Sequence, residues 1–317
     1  MIKLSVIIPT YNPDIGRLRR TLDALKNQTL PISSWELVII DNHSPNDFSG
    51  QITTAWQHSS RIVREERPGL TFARIRGCTE STGDIIVFVD DDNLLAPDYL
   101  EKTLNIFEVF SNLGAVGGKS FPIFEGPEPA WLRGFYGNLA LRDLGDEIIL
   151  SDWDQTYPSC APVGAGMAVK RSAIAPYVAG VMSGGSLISD RKGDSLSSGG
   201  DNDIVLHVLK NNLQVGYFPD LQLLHIIPEA RTKVHYIARL INNTNKSWIQ
   251  LLERHQINPW PLIDNWTVPF RKMKAWFTYK SWKDEVSYIR WRGACGTFEG
   301  LAKSNYVKRK VNTGDSQ

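Results

Sequence analysis

Residues 84–93 read Asp-Ile-Ile-Val-Phe-Val-Asp-Asp-Asp-Asn. An unbroken apolar run rich in β-branched residues predicts a strand buried on both faces. It runs directly into Asp90, Asp91 and Asp92, and Pro97 then opens a helical pattern. Three carboxylates at one strand end repel one another unless a cation sits among them. The segment therefore reads as a divalent-metal site at the carboxyl edge of a sheet, where open α/β sheets bind ligands. The alternative is an Asp-rich turn that caps the next helix.

The residues before it supply the sheet. Leu4–Ile8 and Trp35–Asn42 are further apolar runs, and Arg61–Arg64 is a shorter one. Leu18, Leu22 and Leu25 mark a helix over about 14–27, and Phe72, Ile75 and Cys78 mark another after Gly69. A short helix ending near His58 is also expected. Alternating strands and helices require crossovers, hence a mostly parallel sheet with helices on both faces. Thr10, Asp41 and Asp90 then end their strands on one shared edge. No Gly-x-Gly-x-x-Gly follows the first strand, which weakens a dehydrogenase reading. Gly118–Lys119–Ser120 resembles the end of a P-loop, but position 113 is Leu where that motif requires Gly.

Further along, a helix is expected over about 97–111 and a glycine-bearing strand over 114–121. Residues 122–146 read as an irregular loop over the site. Val163–Arg171 reads as a glycine-rich lead into a strand. Gly180 to Gly200 holds six Gly and six Ser in 21 residues, a linker composition and a candidate lid. It leads to Asp201 and Asp203 at the start of a helix from about Ile204, where the helix dipole keeps a carboxylate ionised. A plain N-cap role is the alternative, and the two are compatible. Gln214–Pro219 and Leu221–Pro228 read as two strand segments, the second with His225 in its middle. An imidazole there is either a hydrogen-bonded core group or a metal ligand.

Cys78, Cys160 and Cys295 are too widely spaced for a disulfide framework or a cysteine zinc site and fit a reducing compartment. The first residues read as a strand, not a leader, and no apolar run is long enough to span a membrane. Net charge is +1, yet residues 231–317 carry 16 Lys/Arg against 6 Asp/Glu, leaving 19 against 28 before them. Six of the ten tryptophans also lie after 230. This shift places a boundary near 230, giving an α/β domain over 1–230 that carries the candidate site and a helical, basic, Trp-rich extension over 231–317. Such an extension suits either an anionic membrane surface, with Trp at the interface, or simple packing. No nucleic-acid-binding motif accompanies it.

Taken together, Val6–Asn12, Val38–Asn42, the helix start from Gly69 to Arg74 and Phe88–Asp92 resemble the nucleotide-binding half of family 2 glycosyltransferases. The likeness continues through Gly164–Met167, Gly200–Asp203 and His225–Pro228, covering roughly residues 3–230. It implies the GT-A fold and inverting transfer from a nucleotide-diphosphate sugar, usually a UDP-sugar, to a saccharide or lipid-linked acceptor, as in bacterial surface-polysaccharide assembly. It assigns Pro9, Thr10, Tyr11 and Asn12 to the first nucleotide loop, Asp41 to the uracil ring and Arg74 to the nucleotide or its phosphates. Asp92 and His225 match metal ligands for Mn²⁺ or Mg²⁺, with Asp90 or Asp91 toward the ribose or the metal. Gly200 stands where the family has Glu, leaving Asp201 as the preferred base ahead of Asp203. The expected location is cytoplasmic, or peripheral on the inner membrane face. Competing classes are a nucleotidyltransferase, a metal-dependent phosphohydrolase and a non-catalytic sugar-nucleotide-binding module. The nucleotidyltransferase usually needs a Gly-rich basic loop after strand one, and Pro9–Pro13 has none.

Overall fold

The computed structural model describes residues 2–183 and 199–312, with side chains through Asn305. Two compact units emerge among the described residues. The first runs to Glu125, resumes from Leu139 to residue 183, and closes with Asp201–Ile227; the second takes Gly126–Asn138 and the chain from Pro228.

The first unit opens with β1 (Leu4–Thr10), α1 (Ile15–Lys26), β2 (Trp35–Asp41), β3 (Ser60–Arg64), α2 (Leu70–Glu80) and β4 (Ile85–Phe88). It continues with β5 (Asn93–Leu95), α3 (Tyr99–Val109), β6 (Leu113–Phe124), β7 (Ile149–Ser151) and β8 (Ala168–Lys170). α4 (Arg171–Met182), α5 (Gly200–Lys210) and β9 (Gln214–Ile227) complete it. The nine-stranded sheet runs β3-β2-β1-β4-β8-β6-β9-β5, with β7 also on β9. The first four in that order are parallel, as the alternation predicts. β8 then enters antiparallel between β4 and β6, so the sheet is mixed. Alternate residues of β1 face opposite layers. Val6 and Ile8 pack with Leu18, Leu22 and Leu100 on one side, and Ile7 packs with Ala73, Ile174 and Val205 on the other.

Several local expectations change. No helix follows Asp47: its carboxylate accepts from the Ser49 N–H at 2.8 Å and hydroxyl at 3.0 Å, and only a short 3₁₀ turn (Ser49–Gln51) forms. Such local side-chain bonds compete with helix propagation. The two segments around Pro219 form one strand, β9. Its register against β6 shifts between Gly117 and Lys119, so Pro219 falls in a bulge where its missing N–H is tolerated. A Cβ on Gly118 would stand 1.9 Å from the Leu221 carbonyl oxygen, so only glycine fits that bulge. The supposed loop from 122 starts later, because β6 continues to Phe124. Gly180 belongs to α4, a helix that the sequence reading missed, and Gly200 to α5, so the candidate lid over 180–200 is helical at both ends; its residues 184–198 lie outside the described residues. α5 starts at Gly200, so Asp201 and Asp203 lie in its first turn and neither is a cap.

The second unit consists of α6 (Val234–Arg254), α7 (Val268–Thr278) and α8 (Glu285–Asn312), with short 3₁₀ turns. α6 and α8 cross closely at Gly296, where a Cβ would lie 2.0 Å from the Asn242 carbonyl oxygen. A small core of Ile249, Ile263, Val268, Leu301 and Ala302 binds the three helices. Among the described residues, no helix is long and apolar enough to cross a membrane.

Candidate active site

The parallel strands set the first wall of the site. Thr10 and Asp41 are register partners at the ends of β1 and β2, as are Pro9 and Ile40. The Thr10 hydroxyl donates to the Asp91 carboxylate, tying the end of β1 to the aspartate triplet. Asn12 takes a positive φ of 46°, and its N–H donates to Ser44 Oγ at 2.8 Å, joining the loops after β1 and β2. Tyr11, between them, is half exposed and available to stack on a planar ring. Asp41 is buried; its carboxylate accepts from the Ser44 N–H at 2.9 Å and from Arg64 Nη1 at 2.8 Å. Arg64 is absent from the sequence prediction, although its place at the end of β3, opposite Asp41, is a signal that strand registration contains. Asn42 Oδ1 accepts from the Gly69 N–H at 2.7 Å, and its amide donates to the Arg67 carbonyl at 2.8 Å. This fixes the start of α2, where Gly69 has a φ of 138°.

Beyond β4, the chain turns through Asp90, Asp91 and Asp92 into β5. The Asp90 N–H donates to Asn93 Oδ1 at 3.3 Å, closing that turn. Asn93 pairs with His225 in the antiparallel ladder of β5 with β9, and the Ile226 N–H donates to the Asp92 carbonyl at 2.9 Å. The ladder thus carries the imidazole to the last aspartate: His225 Nε2 lies 3.3 Å from Asp92 Oδ1, and each residue is 5% exposed. Asn93 Nδ2 also reaches Asp92 Oδ1, at 3.1 Å. Neither His225 ring nitrogen has a hydrogen-bond partner. A buried imidazole without hydrogen bonds is costly. A buried imidazole nitrogen facing a carboxylate oxygen is a donor pair that could hold a divalent cation.

The carboxylates expected to do acid–base work come from α5, beside the segment before β8. Gly166 donates its N–H to the Phe88 carbonyl at 3.0 Å, and its own carbonyl accepts from Tyr99 Oη at 2.6 Å. This holds 164–167 against the end of β4. Asp201 Oδ2 accepts from the Gly164 N–H at 2.9 Å, and its other oxygen accepts from the Asn202 N–H at 3.0 Å. A Cβ on Gly164 would lie 2.4 Å from Arg74 Nη2 and 3.2 Å from Asp201 Oδ2. Arg74 and Asp201 therefore crowd one glycine, beside the strand that leads to the triplet. Arg74 is buried and stacks over the Phe88 ring at 5.5 Å. Asp203 lies deeper, 2% exposed, with its backbone carbonyl 2.7 Å from His207 Nδ1. Tyr157, another residue absent from the sequence prediction, donates to Asn202 Oδ1 at 2.6 Å. Burial, and then the Asp201 carboxylate, push the Tyr157 hydroxyl well above its ordinary range, so it remains a donor.

Residues 5–167 match the family described as glycosyl transferase family 2. The chain belongs to that family. Curated relatives include Haloferax volcanii glycosyltransferase AglE, 32% identical over 102 residues, which are 31% of this chain and 33% of that protein. Another is Staphylococcus aureus TarP, a poly(ribitol-phosphate) β-N-acetylglucosaminyltransferase. It is 30% identical over 162 residues, 47% of this chain and 46% of TarP. This family 2 member thus spans a third to about half of the length of these two relatives. Among solved structures, S. aureus TarS 1–349 in complex with UDP-GlcNAc superposes with a TM-score of 0.54 at 14% identity. The match covers 97% of this chain and 92% of that one. The fold is GT-A, with a helical C-terminal region.

Proposed function

We propose that this family 2 member transfers a sugar, with inversion, from a UDP-sugar to an acceptor hydroxyl, and that it needs Mn²⁺ or Mg²⁺ to do so. The observation that carries this reading is the buried, hydrogen-bond-free His225 imidazole 3.3 Å from the Asp92 carboxylate, at the edge where Thr10 and Asp41 end their strands. Tyr11, Asn12 and Asp41 bind the nucleoside, Asp41 accepting from the base with an orientation set by Ser44 and Arg64. Asp90 and Asp91 serve the ribose side, and Arg74 supplies a permanent positive charge for the diphosphate. When bound by Asp92 and His225, the divalent ion supplies Lewis-acid neutralisation of the leaving UDP.

Asp201 then acts as general base. Its carboxylate is aimed by two backbone N–H groups, and it takes the acceptor's proton as that oxygen bonds to the anomeric carbon. The carbon–oxygen bond to UDP breaks on the opposite face, which inverts the centre. Proton transfer comes late in the step, when the attacking hydroxyl has become acidic.

The catalytic unit ends near residue 230. The acceptor is a surface polymer or a lipid-linked saccharide, placing the protein on the cytoplasmic side of a membrane. Relatives whose names concern a ribitol-phosphate polymer, succinoglycan biosynthesis in Rhizobium meliloti and dolichol phosphate support that choice. The test is a thermal-shift screen of nucleotides and nucleotide-sugars with and without Mn²⁺. Metal-dependent stabilisation by UDP, lost in Asp92→Asn, is expected. A strong metal-independent response to another nucleotide, or an unchanged Asp92→Asn variant, overturns the reading.

A further inference from the structure

The geometry points to α7 as a preformed docking surface for an anionic lipid bilayer. Trp266, Phe270, Met273 and Phe277 recur at steps of four, three and four, so they form one narrow stripe along the helix and the turn before it. Trp282 extends the stripe, its ring 5.9 Å from that of Phe277. All five side chains are between 58% and 72% exposed. Large side chains scattered singly on a surface need no explanation, but an aligned set with Trp at both ends does.

The opposite side of α7 is anchored. Val268 and Ala275 are buried, Lys272 Nζ pairs with Glu299 Oε1 at 2.7 Å, and Trp276 packs edge-on to Trp291 at 4.8 Å. Trp291 Nε1 in turn donates to the Lys272 carbonyl at 3.0 Å. The stripe is therefore held on a fixed scaffold and does not need to fold on binding.

Charge selects the occupant. From Asn265 to Lys283 the cations are Arg271, Lys272, Lys274, Lys280 and Lys283, and there is no Asp or Glu. Lys272 is committed to Glu299, while Arg271, Lys274, Lys280 and Lys283 are exposed. Apolar and aromatic residues on one face with Lys and Arg beside them form the pattern of a helix lying in the headgroup region of a negatively charged leaflet. A second copy of this chain would have to place these cations against their own symmetry mates, which disfavours self-association. A sugar-stacking platform would not need Met273 or the ring of cations. The inference takes its purpose from the proposed lipid-linked acceptor, for which it identifies the surface that brings the enzyme to its substrate's leaflet.

The test is vesicle flotation of the full chain with 1:1 phosphatidylcholine and phosphatidylglycerol, against pure phosphatidylcholine. The wild type is expected to float with the anionic vesicles only, with binding weakened by 0.5 M salt. The double variant Phe270→Ser/Phe277→Ser is expected to bind roughly tenfold more weakly. Arg271→Gln/Lys274→Gln loses about fivefold per cation. Circular dichroism and the UDP–Mn²⁺ thermal shift on the same samples check folding and donor binding, so failure of docking is distinguished from failure of the proposed chemistry. Absence of flotation, equal binding to neutral vesicles, or unaltered binding by the stripe variant overturns the inference. So does a stripe variant whose only effect is to convert a dimer to a monomer.

Discussion

His225→Leu separates a structural imidazole from a metal ligand, because the two roles predict opposite changes in stability. His225 is 5% exposed and neither ring nitrogen has a hydrogen-bond partner. A buried polar group left unsatisfied costs about 1–3 kcal/mol. Leucine is close in volume, suits a β-strand interior and carries no such cost. Asp92 keeps its hydrogen bond from Asn93 Nδ2 at 3.1 Å in the variant. The metal-free variant is therefore expected to be more stable than the wild type. At about 2–4 °C of Tm per kcal/mol for a domain of this size, the rise is several degrees. Metal binding moves the other way. Losing even an outer hydrogen-bond partner of a metal-ligating histidine typically costs tenfold to hundredfold in affinity. Losing the imidazole itself costs at least that, or about 1.4–2.7 kcal/mol. The assay is differential scanning fluorimetry with and without saturating Mn²⁺ and UDP, followed by calorimetric titration of UDP at fixed Mn²⁺. The expected pattern is a higher metal-free Tm with a smaller Mn²⁺-dependent shift. A variant that melts lower without metal, yet keeps the full Mn²⁺ response, refutes the reasoning: the imidazole would then be a paired core residue and the cation site would lie elsewhere.

Asp201→Asn is expected to lower kcat by about 10²–10⁴ with donor KM unchanged, as for loss of a general base; Asp203→Asn, at a position 2% exposed, is expected to act on stability instead. Steady-state kinetics and melts of both variants decide, and the reverse pattern reassigns the base. Gly164→Ala places a methyl group 2.4 Å from Arg74 Nη2. Displacing that guanidinium and its neighbour Asp201 should reduce turnover at least tenfold and weaken UDP binding as well, and wild-type turnover with wild-type UDP affinity would show that neither group needs its position. Glu36 on β2 provides the pH prediction. Burial alone raises its carboxyl, but hydrogen bonds from Ser5 at 2.7 Å and from the Thr82 N–H at 2.5 Å, with Arg61 at 2.9 Å, more than reverse this and leave it below its ordinary value. A depressed folded pKa gives stability that is present above the unfolded value of about 4.5 and lost as pH falls through the folded one. Glu36→Gln should therefore cost about 2–4 kcal/mol at pH 7 and flatten the acid limb of the Tm–pH curve, and an acid limb identical to that of the wild type would contradict it.

The parallel half of the sheet was legible because its information is local. Each of β1, β2 and β4 is an apolar run long enough to be buried on both faces, and α1 carries its own stripe of Leu18, Leu22 and Leu25. α4 was missed because Pro176 and Gly180 argue against a helix that Ala173, Ile174 and Tyr177 nonetheless anchor in the core. Tertiary burial overrode propensity there. In the basic tail, counting tryptophans did not divide them. Trp276 and Trp291 lock α7 to α8, while Trp266 and Trp282 face outward, and only the phase of α7 against α8 decides which is which.

The proposed metal pair shows most clearly where local reading stops. Motif resemblance nominated Asp92 and His225 separately, but their proximity depends on a chain of packing events far apart in the sequence. β6 must bulge at Gly118 for β9 to pass Pro219 without breaking. β9 must then run on unbroken to Ile227, so that its second half offers a free edge to β5. β5 is only three residues long, and it sits where the turn of Asp90 to Asn93 delivers it. A one-residue slip between β5 and β9 would place Leu224 or Ile226 opposite Asn93 and turn the imidazole to the other face of the sheet. The register is therefore part of the candidate active site: the apolar pattern of Leu95 and Leu223, both buried in one core layer, holds it in place. The same pairing that satisfies the core thus aligns a carboxylate with an imidazole. In this chain the fold specifies the proposed metal site through strand register as much as through the candidate ligand residues themselves.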